Sequence, residues 1–234
     1  MKQGIDVSSA QGVIDWNQVK DHVDFALIHI NSGTSQSVES RFLYNASECQ
    51  RLGIPFGAYW FCYDLTPQDA YNSGVAGAQI LIQNNLQNTY PLYYDLERTG
   101  DYQNPGSVEY WENHGITPTP AFAQSIIEAF CNGVESQGIS TGLYFNQAMW
   151  NEFQYSAFLA AHPTWSRWVA AWYTTNPPTY TTWDFWQYDN RYTVPGISGA
   201  VDMDYLNDGY VPPGPGPAPV ARKMPIWFYL KFPF

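Results

Sequence analysis

Apolar residues fall in short continuous runs, and the stretches between them repeat at helical spacing. Asp24-Phe25-Ala26-Leu27-Ile28-His29-Ile30, the run from Pro55 to Tyr63, Pro91-Leu92-Tyr93-Tyr94-Asp95-Leu96-Glu97 and Gly142-Leu143-Tyr144-Phe145 read as strands. Phe42, Leu43, Ala46 and Cys49 recur at helical spacing up to Gly53, a residue suited to a left-handed cap. Thr66-Pro67 and Thr119-Pro120 each pair a capping side chain with a proline at the first turn. The first opens a helix with a stripe through Val75, Ala78 and Ile82 to Leu86. The second opens one with Phe122, Ile126, Ile127, Phe130 and Val134 on one side, before Gly138. Three later runs, Trp168 to Tyr173, Trp183 to Tyr188 and Gly199 to Asp202, have no long helices between them. Strand–helix alternation predicts an α/β fold with a parallel sheet. About eight strands favour a closed barrel over an open sheet. No GxGxxG or phosphate loop follows the first strand, which argues against a nucleotide-binding fold.

The alternation stops at Pro212-Pro213-Gly214-Pro215-Gly216-Pro217-Ala218-Pro219, a run that reads as a stiff extended linker. The chain therefore divides into a body, 1–211, a linker, 212–219, and a short aromatic, basic tail, 220–234. Charge divides at the same place. All 21 acidic residues precede position 212, whereas the tail carries Arg222, Lys223 and Lys231 and no acid. The net charge of −11 over 234 residues makes nucleic acid an unfit partner, because that binding is driven by Lys and Arg neutralising phosphate. No apolar run approaches the ~20 residues needed to cross a bilayer. The Met1 to Asp6 start has no apolar signal region, so synthesis in the cytoplasm without a signal peptide is expected. Cys49, Cys62 and Cys131 form no CxxC pair, and with His22, His29, His114 and His162 they show no zinc spacing; buried free thiols and no metal or other cofactor are expected. The tail is too short to span a membrane; docking on the body and contact with a wall or membrane surface are both open.

Aromatic residues make up 18% of the chain. Rings with carboxylates and few bases suit a neutral, hydroxyl-rich ring ligand, although rings also pack cores. Functional side chains of parallel α/β folds sit at the C-terminal ends of strands. Reading off those ends gives Asp6, Asp95, Glu97, Gln187 and Asp202. Asp95 and Glu97 are the centre of this set. Residues i and i+2 of a strand face one side, their backbones about 6.6 Å apart, so both carboxyls enter one cavity. Such a pair resists double ionisation, and like-charge repulsion is expected to keep one group protonated near neutrality. Paired carboxylates of this kind are the machinery of glycoside hydrolysis.

Several segments carry a family resemblance. Gly4-Ile5-Asp6-Val7-Ser8 with Gln11 and Ile14-Asp15-Trp16, Gly57-Ala58-Tyr59-Trp60-Phe61, the Asp95-Leu96-Glu97 strand, Trp186-Gln187-Tyr188, Val194-Pro195-Gly196-Ile197 and Val201-Asp202-Met203-Asp204 occur in order. Together they resemble glycoside hydrolase family 25, the Chalaropsis-type lysozymes found as phage endolysins and bacterial autolysins. The resemblance spans about residues 3–208. It implies a flattened, irregular TIM-like (β/α) barrel of about five β/α units closed by further strands. It also implies cleavage of the β-1,4 bond between N-acetylmuramic acid and N-acetylglucosamine in the peptidoglycan of bacterial walls. By position, Glu97 would be the general acid and Asp95 the carboxylate beside the anomeric centre, with Asp6 and Asp202 completing the acidic cluster. Tyr59, Phe61, Tyr63, Tyr144, Trp172, Gln187 and His29 are expected to bind substrate. His29 stands where the family often has a basic residue; it reads as a substrate contact, as a residue that orients Asp6, or as a packed, hydrogen-bonded strand histidine. The position usually held by histidine on strand three reads as Trp60. Spacing leaves retaining and inverting routes open; participation of the sugar's 2-acetamido group, with Asp95 beside an oxazolinium ion, is favoured. A non-catalytic carbohydrate-binding barrel and a chitinase-like endoglycosidase are the alternatives.

Overall fold

A computed structural model describes residues 1–34 and 37–212. Residues 213–234, holding most of the expected linker and all of the tail, lie outside the described residues. Eight strands close into a barrel in chain order: β1 (Lys2–Val7), β2 (Phe25–Ser32), β3 (Phe56–Phe61), β4 (Leu92–Asp95), β5 (Thr141–Asn146), β6 (Ser166–Ala170), β7 (Phe185–Tyr192) and β8 (Val201–Leu206). Neighbours from β1 to β7 are parallel; β8 runs antiparallel to both β7 and β1 and closes the ring. Helices α1 (Trp16–Val19), α2 (Phe42–Leu52), α3 (Pro67–Gln83), α4 (Ser107–Asn113), α5 (Pro120–Glu135), α6 (Gln147–Glu152) and α7 (Tyr155–Ala161) fill the first five crossovers. The expected five-unit barrel with closing strands is the observed fold.

Strand alternation explains the nearly continuous apolar runs, since both strand faces are covered. Ile5, Ala26, Ile28, Ala58, Trp60, Leu92, Tyr94, Leu143 and Val169 pack outward into the layer beneath the helices. Phe25, Leu27, Tyr93, Trp168, Phe185 and Leu206 form a separate cluster that fills the barrel. Edge-on contacts of Phe25, Tyr93 and Phe185 plug its lower part. Above that plug the inward positions turn polar, and there the cavity opens.

The caps form as the sequence predicts. Thr66 accepts the Asp69 N–H at 3.1 Å and Thr119 accepts that of Phe122 at 3.2 Å. Gly53 takes φ +70° beyond α2. Two helix faces differ from expectation. Leu43 is exposed, so the buried face of α2 runs through Phe42, Asn45, Ala46 and Cys49. On α3 the buried face is Ala70, Ser73, Gly74, Gly77, Ala78 and Leu81; Val75 and Ile82 are only partly covered and Leu86 lies past the helix end. The bulky stripe is displaced because α3 meets α5 backbone to backbone. A Cβ at Gly74 would stand 2.2 Å from the Phe130 carbonyl oxygen, and one at Gly133 would stand 2.3 Å from that of Tyr71.

Candidate active site

A cavity of about 370 Å³ opens at the end of the barrel where the parallel strands finish. Its lining includes Asp6, His29, Tyr59, Phe61, Asp95, Glu97, Tyr144, Trp172, Gln187 and Asp202, each named from the sequence. Tyr63 does not line it. The Tyr63 ring packs on Phe61 at 4.9 Å and its hydroxyl donates to the Pro105 carbonyl at 2.8 Å, so it braces the wall from behind. Trp60 points the other way: its indole N–H donates to the Gly33 carbonyl at 3.1 Å and its ring packs outward against Phe130. Strand alternation then gives the cavity Tyr59 and Phe61.

Asp95 is the last residue of β4, and Glu97 lies beyond it, held by a bond from its backbone N–H to the Ser107 hydroxyl at 3.1 Å. Strand geometry therefore accounts for Asp95 alone, and a loop carries Glu97 into the same cavity. Asp202 sits near the start of β8, opposite Asp6 in the ladder. Because β8 is antiparallel, its N-terminal end shares the rim with the C-terminal ends of the others, which corrects the expectation that Asp202 ends its strand.

Hydrogen bonds tie the floor together. The Gln187 amide donates to Asp6 Oδ2 at 2.8 Å, and its carbonyl oxygen accepts from the Tyr144 hydroxyl and the Trp172 indole N–H, both at 2.8 Å. Trp168 donates its indole N–H to Asp204 Oδ1 at 2.7 Å. His29 stacks on Tyr59 at 4.9 Å, and its Nε2 lies 3.1 Å from the Ser32 hydroxyl. Asp6 thus receives its hydrogen bond from Gln187, while His29 packs on Tyr59 and also faces the cavity.

Burial dominates the electrostatics. It pushes the Glu97 carboxyl up to about 7, with the Tyr144 hydroxyl pulling the other way. It pushes Asp95 well above the carboxylate range, and the neighbouring Glu97 adds repulsion. The cause of the raised pair is burial first and like charge second, the reverse of the weighting drawn from spacing. Asp6 is likewise raised by burial, then by Asp204 and Asp202. Asp202 is raised to about 6 and Asp204 to about 8, again chiefly by burial. Burial lowers His29, which favours neutral imidazole. Cys49, Cys62 and Cys131 are buried free thiols.

Sequence reasoning passed over four residues here. Ser8, Trp168 and Asn190 line the cavity. Asp204 is fully buried beneath it, and its Oδ2 has no hydrogen-bond donor. The period-two rule that linked Asp95 to Glu97 also links Asp202 to Asp204, and would have found it. Among the described residues, no group of three His, Cys, Asp or Glu side chains is arranged to hold a metal ion. A second depression, lined by Gln124, Trp150, Asn151 and Gln154 among others, has no ionisable side chain on its wall. In chemical terms, the cavity at the strand ends combines carboxyls whose proton affinity burial raises with aromatic walls.

Known proteins resemble the chain in sequence and in fold. The profile of glycosyl hydrolases family 25 matches residues 5–197, ending short of Asp202 and Asp204. Lysozyme M1 of Streptomyces globisporus is 30% identical over 217 residues, covering 88% of this chain and 67% of that protein. The bacterial lysozyme from Streptomyces coelicolor is similar in structure, with a TM-score of 0.68 and 28% identity over 88% of this chain and 92% of its own. The modular autolysin LytC from Streptococcus pneumoniae, solved in complex with a synthetic peptidoglycan ligand, gives a TM-score of 0.71 and 26% identity over 87% of this chain. This chain spans 46% of that autolysin, about half its length.

Proposed function

The chain belongs to glycosyl hydrolases family 25, and on that premise we propose that it hydrolyses peptidoglycan at the β-1,4 bond from N-acetylmuramic acid to N-acetylglucosamine. The observation that carries this reading is the pairing of buried Asp95 with partly exposed Glu97 inside an aromatic-walled cavity. Glu97, raised to about 7, keeps a proton close to neutral pH and is the general acid that protonates the leaving oxygen. Asp95 stands beside the anomeric centre. An acetamido N–H of bound substrate donating to Asp95 favours its ionised form, which leaves the pair's proton on Glu97. The acetamido oxygen then attacks the anomeric carbon as the leaving oxygen takes that proton. The ionised Asp95 stabilises the resulting oxazolinium ion. Water, deprotonated by Glu97, opens the ring with net retention of configuration. Asp6 and Asp202 complete the acidic floor. Tyr59, Phe61, Tyr144, Trp172, Gln187 and His29 contact the sugars, and Tyr63 holds Phe61 in place.

Place of action follows from substrate: the bacterial cell wall. No helix among the described residues is long and apolar enough to cross a membrane. The deciding experiment is reducing-end release from purified peptidoglycan, with chitin and cellulose as controls. New reducing ends at N-acetylmuramic acid, from peptidoglycan alone, are expected. Equal release from chitin would replace this reading by a chitinase-like one, and binding without release would leave a carbohydrate-binding barrel. The anomer first formed, followed by proton NMR, tests the acetamido route: an α-anomeric product would exclude it.

A further inference from the structure

Next to the cavity-lining Asn190 stands a cation, Arg191, that the proposed chemistry does not use. Trp172 and Tyr173, in the segment after β6, are 43% and 54% exposed. Tyr173 holds φ +57°, a left-handed conformation unusual for a bulky residue. It is pinned by its backbone N–H to the Tyr188 carbonyl at 3.0 Å and by a hydroxyl bond to Asn190, which lines the cavity. The Arg191 guanidinium sits over the Tyr173 ring, 4.5 Å from its centroid. Arg191 makes no ion pair among the described residues. The adjacent Asp189 carboxylate accepts the Arg191 backbone N–H at 2.9 Å instead. A guanidinium held flat on a ring keeps its edge donors available, and a planar fork of N–H groups matches a carboxylate. No Lys or Arg is among the residues lining the cavity, so a carboxylate on the substrate finds its cation at Arg191 beside it.

We propose that Arg191, seated on Tyr173 beside Asn190, is an anchoring site for a carboxylate carried by the substrate's muramyl unit, either on the lactyl ether or on the attached peptide. This rests on the peptidoglycan reading above and gives it a specificity element: an uncharged polymer of N-acetylglucosamine has no group for Arg191. Tyr173 and Asn190 act as positioning residues that hold the guanidinium beside the cavity.

The test is a binding titration of the full chain with the disaccharide N-acetylglucosaminyl-N-acetylmuramic acid, which lacks the bond proposed to be cut. Three forms are compared: free lactyl acid, lactyl amide, and the form bearing an alanyl-glutamate peptide. Wild type should bind at least one carboxylate form about five- to tenfold more tightly than the amide, a range between an exposed ion pair and a bidentate one. Arg191→Gln should remove that preference and leave affinity for the amide unchanged, and Arg191→Lys should restore part of it. Which carboxylate form gains identifies the lactyl or the peptide group. The preference should shrink at high salt. Equal affinity of wild type for all three forms, no binding of any form, or an equal loss for all forms in Arg191→Gln would overturn the proposal; the last would mark Arg191 as a clip for the loop. Reducing-end release by wild type is measured alongside. Release without carboxylate preference rejects the Arg191 site alone, and preference without release rejects the hydrolytic reading alone.

Discussion

At the scale of single residues, the site is defined by carboxyls whose proton affinity burial raises. Glu97→Gln should lower hydrolysis by at least ~10²-fold, since an amide has no proton to give the leaving oxygen. Retention of most activity in a turbidity assay on cell walls would remove Glu97 from that role. The same variant makes a stability prediction. Glu97 titrates near 4.5 in an unfolded chain and is raised to about 7 in the folded protein. Between those values the folded state binds the proton and the unfolded state does not, so stability falls as pH rises through that window. Gln carries no such penalty. The melting temperature of Glu97→Gln should therefore exceed that of wild type at pH 8 and approach it at pH 5. In the substrate complex an ionised Asp95 holds the proton on Glu97, so Asp95→Asn should move the alkaline limb of the pH–rate profile to lower pH as residual activity is followed. An unmoved limb would mean that Asp95 and Glu97 titrate independently. Legibility at this scale was uneven for a physical reason. Asp95, Glu97, Asp6 and Asp202 stand out because carboxylates beside apolar runs are costly. Asp204 was within reach of the same period-two rule, whereas Trp168 and Asn190 do not stand out, because closure of the ring brings them to the cavity.

At the scale of elements, strands and caps were read from local rules, and the departures came from neighbours in space. The connection from Tyr192 to Val201 is too short for a crossover of a dozen or more residues, so β8 had to be antiparallel. That arithmetic was available in the sequence. The buried face of α3 was not: a stripe read by hydrophobicity picks Val75 and Ile82, whereas contact with α5 selects Gly74 and Gly77 for their missing Cβ. Gly74→Ala tests this. A helix interior would gain roughly 1 kcal/mol from the exchange, but here the added carbon stands 2.2 Å from a backbone carbonyl oxygen that cannot rotate away. Overpacking of this kind costs about 1–3 kcal/mol and should win. The denaturation midpoint should fall. A rise would show that the two helices separate at little cost.

At the scale of the whole molecule, charge and chemistry are unevenly shared. Residues 1–211 hold seven basic and 21 acidic residues, a net charge of −14, while residues 212–234 are +3 and rich in Trp, Phe and Tyr. Every residue lining the cavity lies between Asp6 and Asp202, and the barrel closes with β8 at Leu206. The barrel was legible because strand–helix alternation is a repeated signal. The tail was legible only as composition, and it lies outside the described residues. The body is strongly anionic and is repelled by anionic walls and membranes, whereas cations among amphipathic rings suit such an interface. Deleting 212–234 should therefore leave hydrolysis of soluble wall fragments within about twofold of the full chain, because the ring of eight strands is complete without it. The same deletion should weaken sedimentation of the protein with whole cells or with anionic vesicles. The difference between full chain and truncation should narrow as salt rises, since exposed charges are screened over ~8 Å at physiological ionic strength. A truncation that instead lowers the melting temperature sharply would make the tail a packing element of the barrel, and its cations would then owe their place to folding.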